Sequence, residues 1–419
     1  MKKLIRYSLL WLSCFFATAF SVRAQVNPPR NRLDSISRLD TISRPDTSHL
    51  QPDTTRLRLV IFAPLYLDSA FDASGNYRYD KNFPKFINPG LEFYEGAQMA
   101  LDTLAKEHVQ LDVQIYDTRS AKESVQQVLG DSSMDHVGLM IGQVANAVEM
   151  QQLAAAAQKK NIPFIDASYP NDGGITNNPS LVILNSTLRS HCEAIYRYLQ
   201  RNYATKSLVF FRKSGAQEDR LKSYFTDLDK KTAGVPLKIK YVTLDDNFDA
   251  SAISAALDDE TLTVCIAGSL DDGFGTRLCQ LLAGLKNFQT KVIGMPTWDN
   301  LDWTKPEYSG EEIVYTTPFY INPQDTLVKT IQQVYKTRFY SRPSDMVFRG
   351  YETVYRFAHL LVLHGNNLSG SIGEKKFKVF NDFEILPVFL NKQTMTLDYF
   401  ENKKLYFIKN LDGTAMLVN

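Results

Sequence analysis

The sequence predicts an α/β protein built from two doubly wound parallel sheets. Apolar segments of strand length alternate with amphipathic helical segments along most of the chain. This alternation is typical of a parallel sheet that is covered by helices on both faces. It begins at Leu57 and starts again after Asn185-Ser186-Thr187, which indicates a second sheet of the same design.

The clearest strand, helix and strand unit covers residues 137–168. An apolar run ends at Gly142, a helical pattern follows at 145–160, and a second apolar run begins at Ile162. Two parallel strands need a crossover of this kind. Glycine lets the backbone approach a ligand, and the helix start offers free N–H groups. The unit therefore predicts a turn that can hold a ligand without any catalytic residue.

Residues 1–24 have the layout of a secretory signal peptide. Basic residues precede a short apolar core at 9–20, and Val22-Arg23-Ala24 precedes the predicted cleavage site. A membrane anchor is one alternative, but the core is shorter than the roughly 20 residues of a spanning helix. Lipidation at Cys14 is another, although the residues before it lack a small-residue pattern. We expect export to the periplasm, with envelope association left open, and no membrane insertion of the mature chain.

Charge and cysteine content narrow the classes of partner and the kind of scaffold. The chain has 47 Lys and Arg against 46 Asp and Glu, and the predicted signal peptide holds four of the basic residues. Nothing in this balance calls for nucleic acid or an anionic membrane surface.

Cys192, Cys265 and Cys279 lie in apolar patterns, so we expect buried free thiols. A Cys265–Cys279 disulfide is the alternative.

Residues 25–56 are interpreted as a disordered tether. The segment 32–55 repeats itself as RLDSIS, RLDTIS, RPDTSH and QPDTT. A composition so rich in Asp, Ser, Thr and Pro cannot bury enough apolar surface to fold. Tripeptides beginning at Asp34, Asp40 and Asp53 are similar to the O-glycosylation sequon of Bacteroidetes, and a plain spacer is the alternative.

The first sheet begins with a buried strand at 57–65. An aromatic insertion at 66–89 follows, and it is either a local packing flap or a ligand lid. The remaining elements before the central unit are a helix opened by Gly90, a strand at 109–116 and a helix at 121–129.

The second sheet takes four predicted strands, at 207–211, 238–243, 261–267 and 291–294. Helices are predicted around them at 191–201, 217–229, 250–257 and 275–285. Beyond them we expect a short strand at 312–315, helices at 327–339 and 348–364, and a β-rich end at 377–418.

Several segments carry a family resemblance: VIFAPLY, GLEFYEGAQMALDTL, VQIYDTRS, the IGQVANAV…IPFIDAS unit, and PSDMVFRGYETVYRFAHLL. In this order and spacing they resemble the type I periplasmic binding proteins, in particular the branched-chain amino-acid-binding branch, over residues 57–419. Glu352 replaces the Asp of the family in the last segment. The aromatic insertion and GMPTWDNLDW are most similar to Bacteroidetes-type substrate-binding proteins.

The resemblance implies two lobes that are joined by a three-segment hinge. The chain would cross between them near 184–187, 314–317 and 379–382. The amino-terminal lobe would comprise 57–185 plus 315–378, and the carboxyl-terminal lobe 186–314 plus 379–419. Such a hinge permits bending of one lobe against the other.

The sequence carries no motif for catalysis or metal binding. It has no G-x-S-x-G elbow, no phosphate-binding P-loop, no H-E-x-x-H and no C-x-x-C. Its six histidines are scattered. We therefore expect no enzyme activity, no catalytic residue, no metal ligand and no cofactor.

The resemblance places a ligand between the lobes, at the carboxyl ends of the strands. In the amino-terminal lobe the implied ligand-binding residues lie on two turns, at Gln143, Asn146 and Ala147 and at Ala167, Ser168 and Tyr169. Amino-acid binders of the family usually have Ser or Thr at both turns, and Asn146 and Ala147 depart from that. Asp166 would repel an anion, so a standard α-carboxylate site is not expected.

In the carboxyl-terminal lobe the implied residues are Ser269, Asp271, Trp298 and Asp299. Asp271 or Asp299 could face an ammonium group, and Trp298 could stack on the ligand. Structural alternatives stand beside these roles. Asp271 and Asn146 could only cap helices, Trp298 could pack at the lobe interface, and Asp166 could bond the hinge.

The leading hypothesis is a periplasmic solute-binding protein that captures a small polar ligand, such as an amino acid, a peptide or a cell-wall fragment. Delivery to an ABC importer is its finer version. The alternative is an interaction or regulatory protein of the cell envelope, related to peptidoglycan, that keeps the fold without a ligand.

Overall fold

In the computed structural model of the protein, residues 57–80, 82–232 and 234–418 are described. The predicted signal peptide and tether lie outside these residues. The strands, numbered along the chain, are β1 (Leu57–Ala63), β2 (Leu111–Asp117), β3 (Val137–Gly142), β4 (Phe164–Asp166), β5 (Leu181–Ile183), β6 (Ser207–Arg212), β7 (Ile239–Thr243), β8 (Thr263–Ala267), β9 (Thr290–Ile293), β10 (Glu312–Thr317), β11 (Ile385–Val388), β12 (Tyr399–Asn402), β13 (Tyr406–Leu411) and β14 (Thr414–Val418).

The helices are numbered in the same way. They are α1 (Leu67–Ala70), α2 (Asn88–Lys106), α3 (Val125–Gly130), α4 (Ala147–Lys160), α5 (Leu188–Tyr203), α6 (Ala216–Lys231), α7 (Ala250–Ser254), α8 (Asp272–Gly284), α9 (Thr326–Phe339), α10 (Asp345–His364) and α11 (Leu368–Ser371). None of the helices in the described ranges is both long and apolar enough to span a bilayer.

The strands form two seven-stranded sheets, which confirms the predicted fold class. The first has the order β11-β12-β5-β4-β3-β1-β2, and the second has the order β14-β13-β10-β9-β8-β6-β7. In the first sheet six neighbouring strands are parallel, in the order β12-β5-β4-β3-β1-β2, and in the second sheet five are parallel, in the order β10-β9-β8-β6-β7. We call each sheet with its covering helices the first and the second lobe.

Apolar side chains cover both faces of each sheet. In β1, Leu59 and Ile61 belong to the core on one face, and Val60 and Phe62 belong to the core on the other. β6 alternates in the same way between the two cores of the second lobe. Because successive side chains of a strand point to opposite faces, a continuous apolar run is what a doubly covered sheet requires.

Two features differ from the sequence-based expectation. The predicted second lobe included residues 379–402, but β12 pairs with β5, and β11 pairs with β12, in the first sheet. Only β13 and β14 join the second sheet, so the last crossing lies after Asn402. The β-rich pattern predicts strands but does not reveal which open sheet edge each strand completes.

The alternative Cys265–Cys279 disulfide is not formed, because all three described cysteines are free and buried.

Buried side chains bond the connections between the lobes to one another. The Ser186 hydroxyl donates to the Asn402 carbonyl at 2.6 Å, and the Asn402 amide donates to the Leu184 carbonyl at 3.3 Å. The Glu401 carboxylate accepts from the Thr187 N–H at 2.7 Å. The first and last crossings therefore run side by side as one hydrogen-bonded unit.

The helix α10 bonds a second group of connecting segments. Glu352 accepts hydrogen bonds from the Phe380 N–H at 2.8 Å and from the Asn381 N–H at 2.6 Å. The Asn381 side chain in turn accepts from the Tyr320 N–H at 2.8 Å. Glu352 thus joins α10 to the chain that follows β10.

The helices α2 and α10 approach closely because each carries glycine at the contact. A Cβ built on Gly96 would lie 1.9 Å from the Val347 carbonyl oxygen, and one on Gly350 would lie 2.1 Å from the Phe93 carbonyl oxygen. No side chain fits between these backbones. The pair of glycines therefore sets the distance between the two helices.

We predict that Gly350→Ala lowers the free energy of unfolding by about 2 kcal/mol, because the added methyl group overpacks this contact. The same exchange in an open helix would stabilise it by up to about 1 kcal/mol. Urea unfolding of both proteins measures the difference. Gly130→Ala is the matched control, since no heavy atom lies within 4 Å of its added Cβ. Equal stability of Gly350→Ala and the native protein would contradict the close contact.

Candidate functional site

A cavity of about 590 Å³ lies between the two lobes. The first lobe contributes the start of α10, and the second lobe contributes the start of α5 and the turn after β9. The lining residues are Pro170, Asn185, Ser186, Leu188, His191, Leu270, Pro296, Thr297, Asp299, Asn300, Pro318, Ser344, Asp345, Met346 and Arg349. We call this space the cleft cavity.

Arg349 is the cation of the cleft cavity, and it lies in the second turn of α10. Its guanidinium stands 3.9 Å from the centre of the Phe319 ring, and its Nε is buried without a hydrogen-bond partner. It forms no ion pair within 4.0 Å among residues 57–80, 82–232 and 234–418. Burial lowers the pKa of Arg349, while Asp345 and other carboxylates oppose the shift. An arginine remains charged under such conditions.

The turn after β9 brings a carboxylate and a hydroxyl to the same cavity. Burial raises the pKa of Asp299 to about 6, and the Arg349 charge acts against that shift. The Thr297 hydroxyl oxygen is buried and has no hydrogen-bond partner in the described part of the chain. A donor and an acceptor are thus placed where a polar ligand could bond them.

His191 and Asn185 supply neutral polar groups to the cavity wall. The His191 Nδ1 lies 2.8 Å from the Thr316 hydroxyl, and the side chain is 1% exposed. Burial lowers the pKa of His191 to about 3, so this imidazole is neutral at physiological pH. Asn185 donates its amide to the Ser168 carbonyl at 2.6 Å.

Asp166 is the last residue of β4 and is fully buried. Its Oδ1 accepts from the Ser168 and Tyr169 N–H groups, whereas its Oδ2 has no partner. Burial raises the pKa of Asp166 to about 8, the Glu149 carboxylate adds to the rise, and Arg349 opposes it. At neutral pH the carboxyl therefore holds a proton in the folded protein.

Comparison with solved structures identifies the architecture. A crystal structure from Rhodospirillum rubrum, assigned as a branched-chain amino acid ABC transporter, superposes with a TM-score of 0.62 at 13% identity and covers 87% of this chain and 100% of the other. A branched-chain amino acid periplasmic ligand-binding protein of an ABC transporter from Burkholderia xenovorans LB400 gives a TM-score of 0.57 at 12% identity, with 87% and 95% covered. This chain has the type I periplasmic binding protein fold.

A third structure with this fold carries a ligand. It is an ABC transporter substrate-binding protein from Desulfitobacterium hafniense in complex with Leu, with a TM-score of 0.53, 13% identity and coverage of 87% of this chain and 100% of the other. No family model matches the chain, and no curated protein matches its sequence. The finer Bacteroidetes-type assignment stays a prediction.

In the type I fold of this chain, none of the predicted ligand residues of the first lobe lines the cleft cavity. Asn146 caps α4 by accepting from the Glu149 N–H at 3.0 Å, and Ala147 is the first residue of that helix. The Ser168 hydroxyl accepts from the Val144 N–H at 3.0 Å, which closes the turn on itself. The remaining predicted residues of this lobe, which are also absent from the cavity wall, are Gln143, Ala167 and Tyr169.

In the second lobe only Asp299 of the predicted residues lines the cleft cavity. Ser269 is buried and donates to the Glu218 carboxylate at 2.6 Å. Asp271 caps α8 through the Phe274 N–H at 3.0 Å and pairs with Lys213 at 2.5 Å. These two side chains hold the second lobe together.

Trp298 is not a stacking platform in the cleft. It is 0% exposed and packs in the core of the second lobe, with its ring centre 5.0 Å from that of Trp303. Its indole fills space left by glycines, since a Cβ on Gly294 would lie 1.9 Å from Trp298 Cε3. Trp298 is therefore a packing residue, as the structural alternative expected, but it packs within the second lobe and not at the lobe interface.

The sequence analysis missed Arg349 and His191, which line the cavity. Arg349 left one local signal, because it is a charged residue directly after the apolar residues Met346, Val347 and Phe348. The aromatic insertion contributes no residue to the cavity wall within the described ranges, and its Phe71 and Phe86 are 42% and 50% exposed. No group of three or more His, Cys, Asp or Glu in those ranges is placed to hold a metal ion.

We predict that Asp166→Asn reduces the pH dependence of stability. The pKa of Asp166 is raised in the folded state, so its contribution is present below the unfolded pKa near 3.8 and is lost as pH rises toward 8. Asparagine keeps the acceptor for the two N–H groups and cannot ionise. The loss of unfolding free energy between pH 5 and pH 8, measured by urea titration, should shrink by at least about 1 kcal/mol. Parallel pH profiles of the two proteins would refute this.

We predict that Trp298→Ala lowers the free energy of unfolding by about 3–5 kcal/mol, because it empties a core position. A stacking residue in an open cleft would be removed with little loss of stability. Chemical unfolding followed by circular dichroism separates these outcomes. Trp298→Phe is the matched variant and should cost less, because it retains most of the apolar volume.

Proposed function

We propose that this chain is a solute-binding protein that captures a small polar ligand between its lobes without transforming it. The observation that carries the proposal is the cleft cavity with the unpaired guanidinium of Arg349 on its wall. The Arg349 Nε is buried without a hydrogen-bond partner in the described ranges, and a buried polar group of this kind is costly unless a ligand supplies the partner. The ligand classes that fit are amino acids, peptides and cell-wall fragments.

The charges of the cavity suggest how such a ligand would be held. An anionic group of the ligand would accept hydrogen bonds from Arg349, and a cationic group would face Asp299 or Asp345. Thr297 offers a hydroxyl whose hydrogen-bonding capacity is unused. Because α10 belongs to the first lobe and Thr297 to the second, a ligand that bonds both favours the closed arrangement.

The related structures support binding rather than catalysis. The Desulfitobacterium hafniense protein with this fold is described in complex with Leu. Delivery of the ligand to an ABC importer, and a periplasmic location reached through the predicted signal peptide, are the finer parts of the proposal.

We predict that at least one compound in a panel of amino acids, short peptides and peptidoglycan fragments raises the melting temperature of the native protein. Arg349→Met should weaken that ligand at least tenfold, which corresponds to about 1.4 kcal/mol or more. Arg349→Lys should retain part of the affinity, because the charge remains while the fork of donors is lost. Titration calorimetry of the three proteins checks this.

The matched control is Arg338→Met. Arg338 lies on α9 and pairs with Asp102 at 2.7 Å on the surface, away from the cavity. Its replacement should leave the affinity unchanged. A panel without any stabilising compound, or equal binding by Arg349→Met, would argue against the proposed function.

An interaction protein of the cell envelope is the second candidate. It is favoured because Asn146, Ser168 and Asp271 form hydrogen bonds within their own lobes. The resemblance implies that other members of the fold use the corresponding positions to bind a ligand. Absence of stabilisation by the whole panel, together with cross-linking to peptidoglycan-synthesis proteins in cells, would support this candidate instead.

A further inference from the structure

A second groove, of about 1140 Å³, lies on a different side of α5 from the cleft cavity. One wall is formed by α5 and α6 of the second lobe. The other wall is residues 387–393, which belong to β11 and the connection to β12 in the first lobe. We call it the α5–hairpin groove. Leu188 and His191 of α5 line the cleft cavity, whereas Arg189 and Glu193 line the groove.

The α5–hairpin groove is basic although the chain as a whole is nearly neutral. Five basic side chains and two acidic side chains line it, whereas the full sequence has 47 basic and 46 acidic residues. The basic residues are Arg189, Arg197, Lys231, Lys392 and Lys403. An anionic partner is therefore complementary to this surface.

Two of these cations are free to bind a partner. Arg197 pairs with Glu193 at 2.5 Å, Lys403 with Glu401 at 2.5 Å and Lys231 with Asp227 at 3.8 Å. Arg189 and Lys392, one on each wall, have no ion pair within 4.0 Å in the described ranges. The Arg189 guanidinium lies 5.6 Å from the centre of the Tyr224 ring, which keeps it at the groove surface.

Apolar side chains line the same groove between the charges. Leu390 on the hairpin wall is 37% exposed, and Val388, Phe389 and Leu228 are partly buried beside it. An anionic polysaccharide or another polyanion without apolar groups would gain from the cations but not from these residues. A peptide with acidic and apolar side chains would gain from both.

We propose that the α5–hairpin groove binds an acidic and apolar peptide segment of a partner protein. Because its two walls come from different lobes, a peptide that contacts both fixes one orientation of the lobes. Binding there is then thermodynamically linked to opening and closing of the cleft cavity, which shares α5 with the groove. The inference does not depend on what the cleft cavity holds.

Selection of a phage-displayed library of random 12-residue peptides on the full chain tests the proposal. The enriched peptides should combine Asp or Glu with Leu, Ile or Phe, and their binding should weaken as salt concentration rises. For the Arg189→Glu/Lys392→Glu double variant, the Kd of an enriched peptide should rise at least tenfold. The control Lys106→Glu/Lys336→Glu makes the same charge change at exposed residues outside the groove and should leave the Kd unchanged.

Hydrogen exchange on the peptide complex gives an independent readout. Amides of both α5 and residues 388–393 should become protected. The proposal is overturned if no such peptides are enriched, if the double variant binds them equally, or if only one wall is protected. It is also overturned if two results occur together: heparin competes as well as an enriched peptide, and replacing the apolar residues of that peptide with serine leaves its Kd unchanged. Simple polyanion binding would explain both results.

Discussion

Buried hydrogen bonds among the connecting segments hold two separate sheets together as one hinged molecule. Asn402 and Glu401 bond the first crossing at Leu184 and Thr187, and Glu352 bonds the segment at Phe380. Each of these groups would lose hydration on burial, so an alternative path of the chain would leave it unpaired. The need to pair them therefore selects one arrangement of the crossings, and the cleft lies beside that arrangement.

The helix that bonds the connecting segments also supplies a polar group to the cleft cavity. α10 contributes Glu352 to the connections and Arg349 to the cavity, three positions apart on one helix. α2 packs closely against α10 at Gly350, one residue after Arg349. Under the proposed function, a charged group placed in this way would be pre-organised for binding, because little would have to be rearranged when a ligand arrives.

The type I fold of this chain uses its strand ends differently from what the family resemblance implied. Ser168 and Asn146 complete the turn and helix of their own lobe, and Asp166 is buried with a raised pKa. The polar groups that line the cleft cavity without a hydrogen-bond partner lie instead on α10, at Arg349, and in the turn after β9, at Thr297. The helix α5 lies between two surfaces, with the cleft cavity on one side and the α5–hairpin groove on the other.

The sequence by itself determined the elements whose signal is local. The apolar runs of β1 and β6, the glycine at 142 before α4, and the repetition of the strand and helix pattern were enough to predict two parallel sheets. Tertiary structure decided which edge β12 completes, that Trp298 fills a core, and that Arg349 and Thr297 line the same cavity. The physical reason is that periodicity reports how a segment is buried, whereas a site depends on which distant segments supply the neighbours.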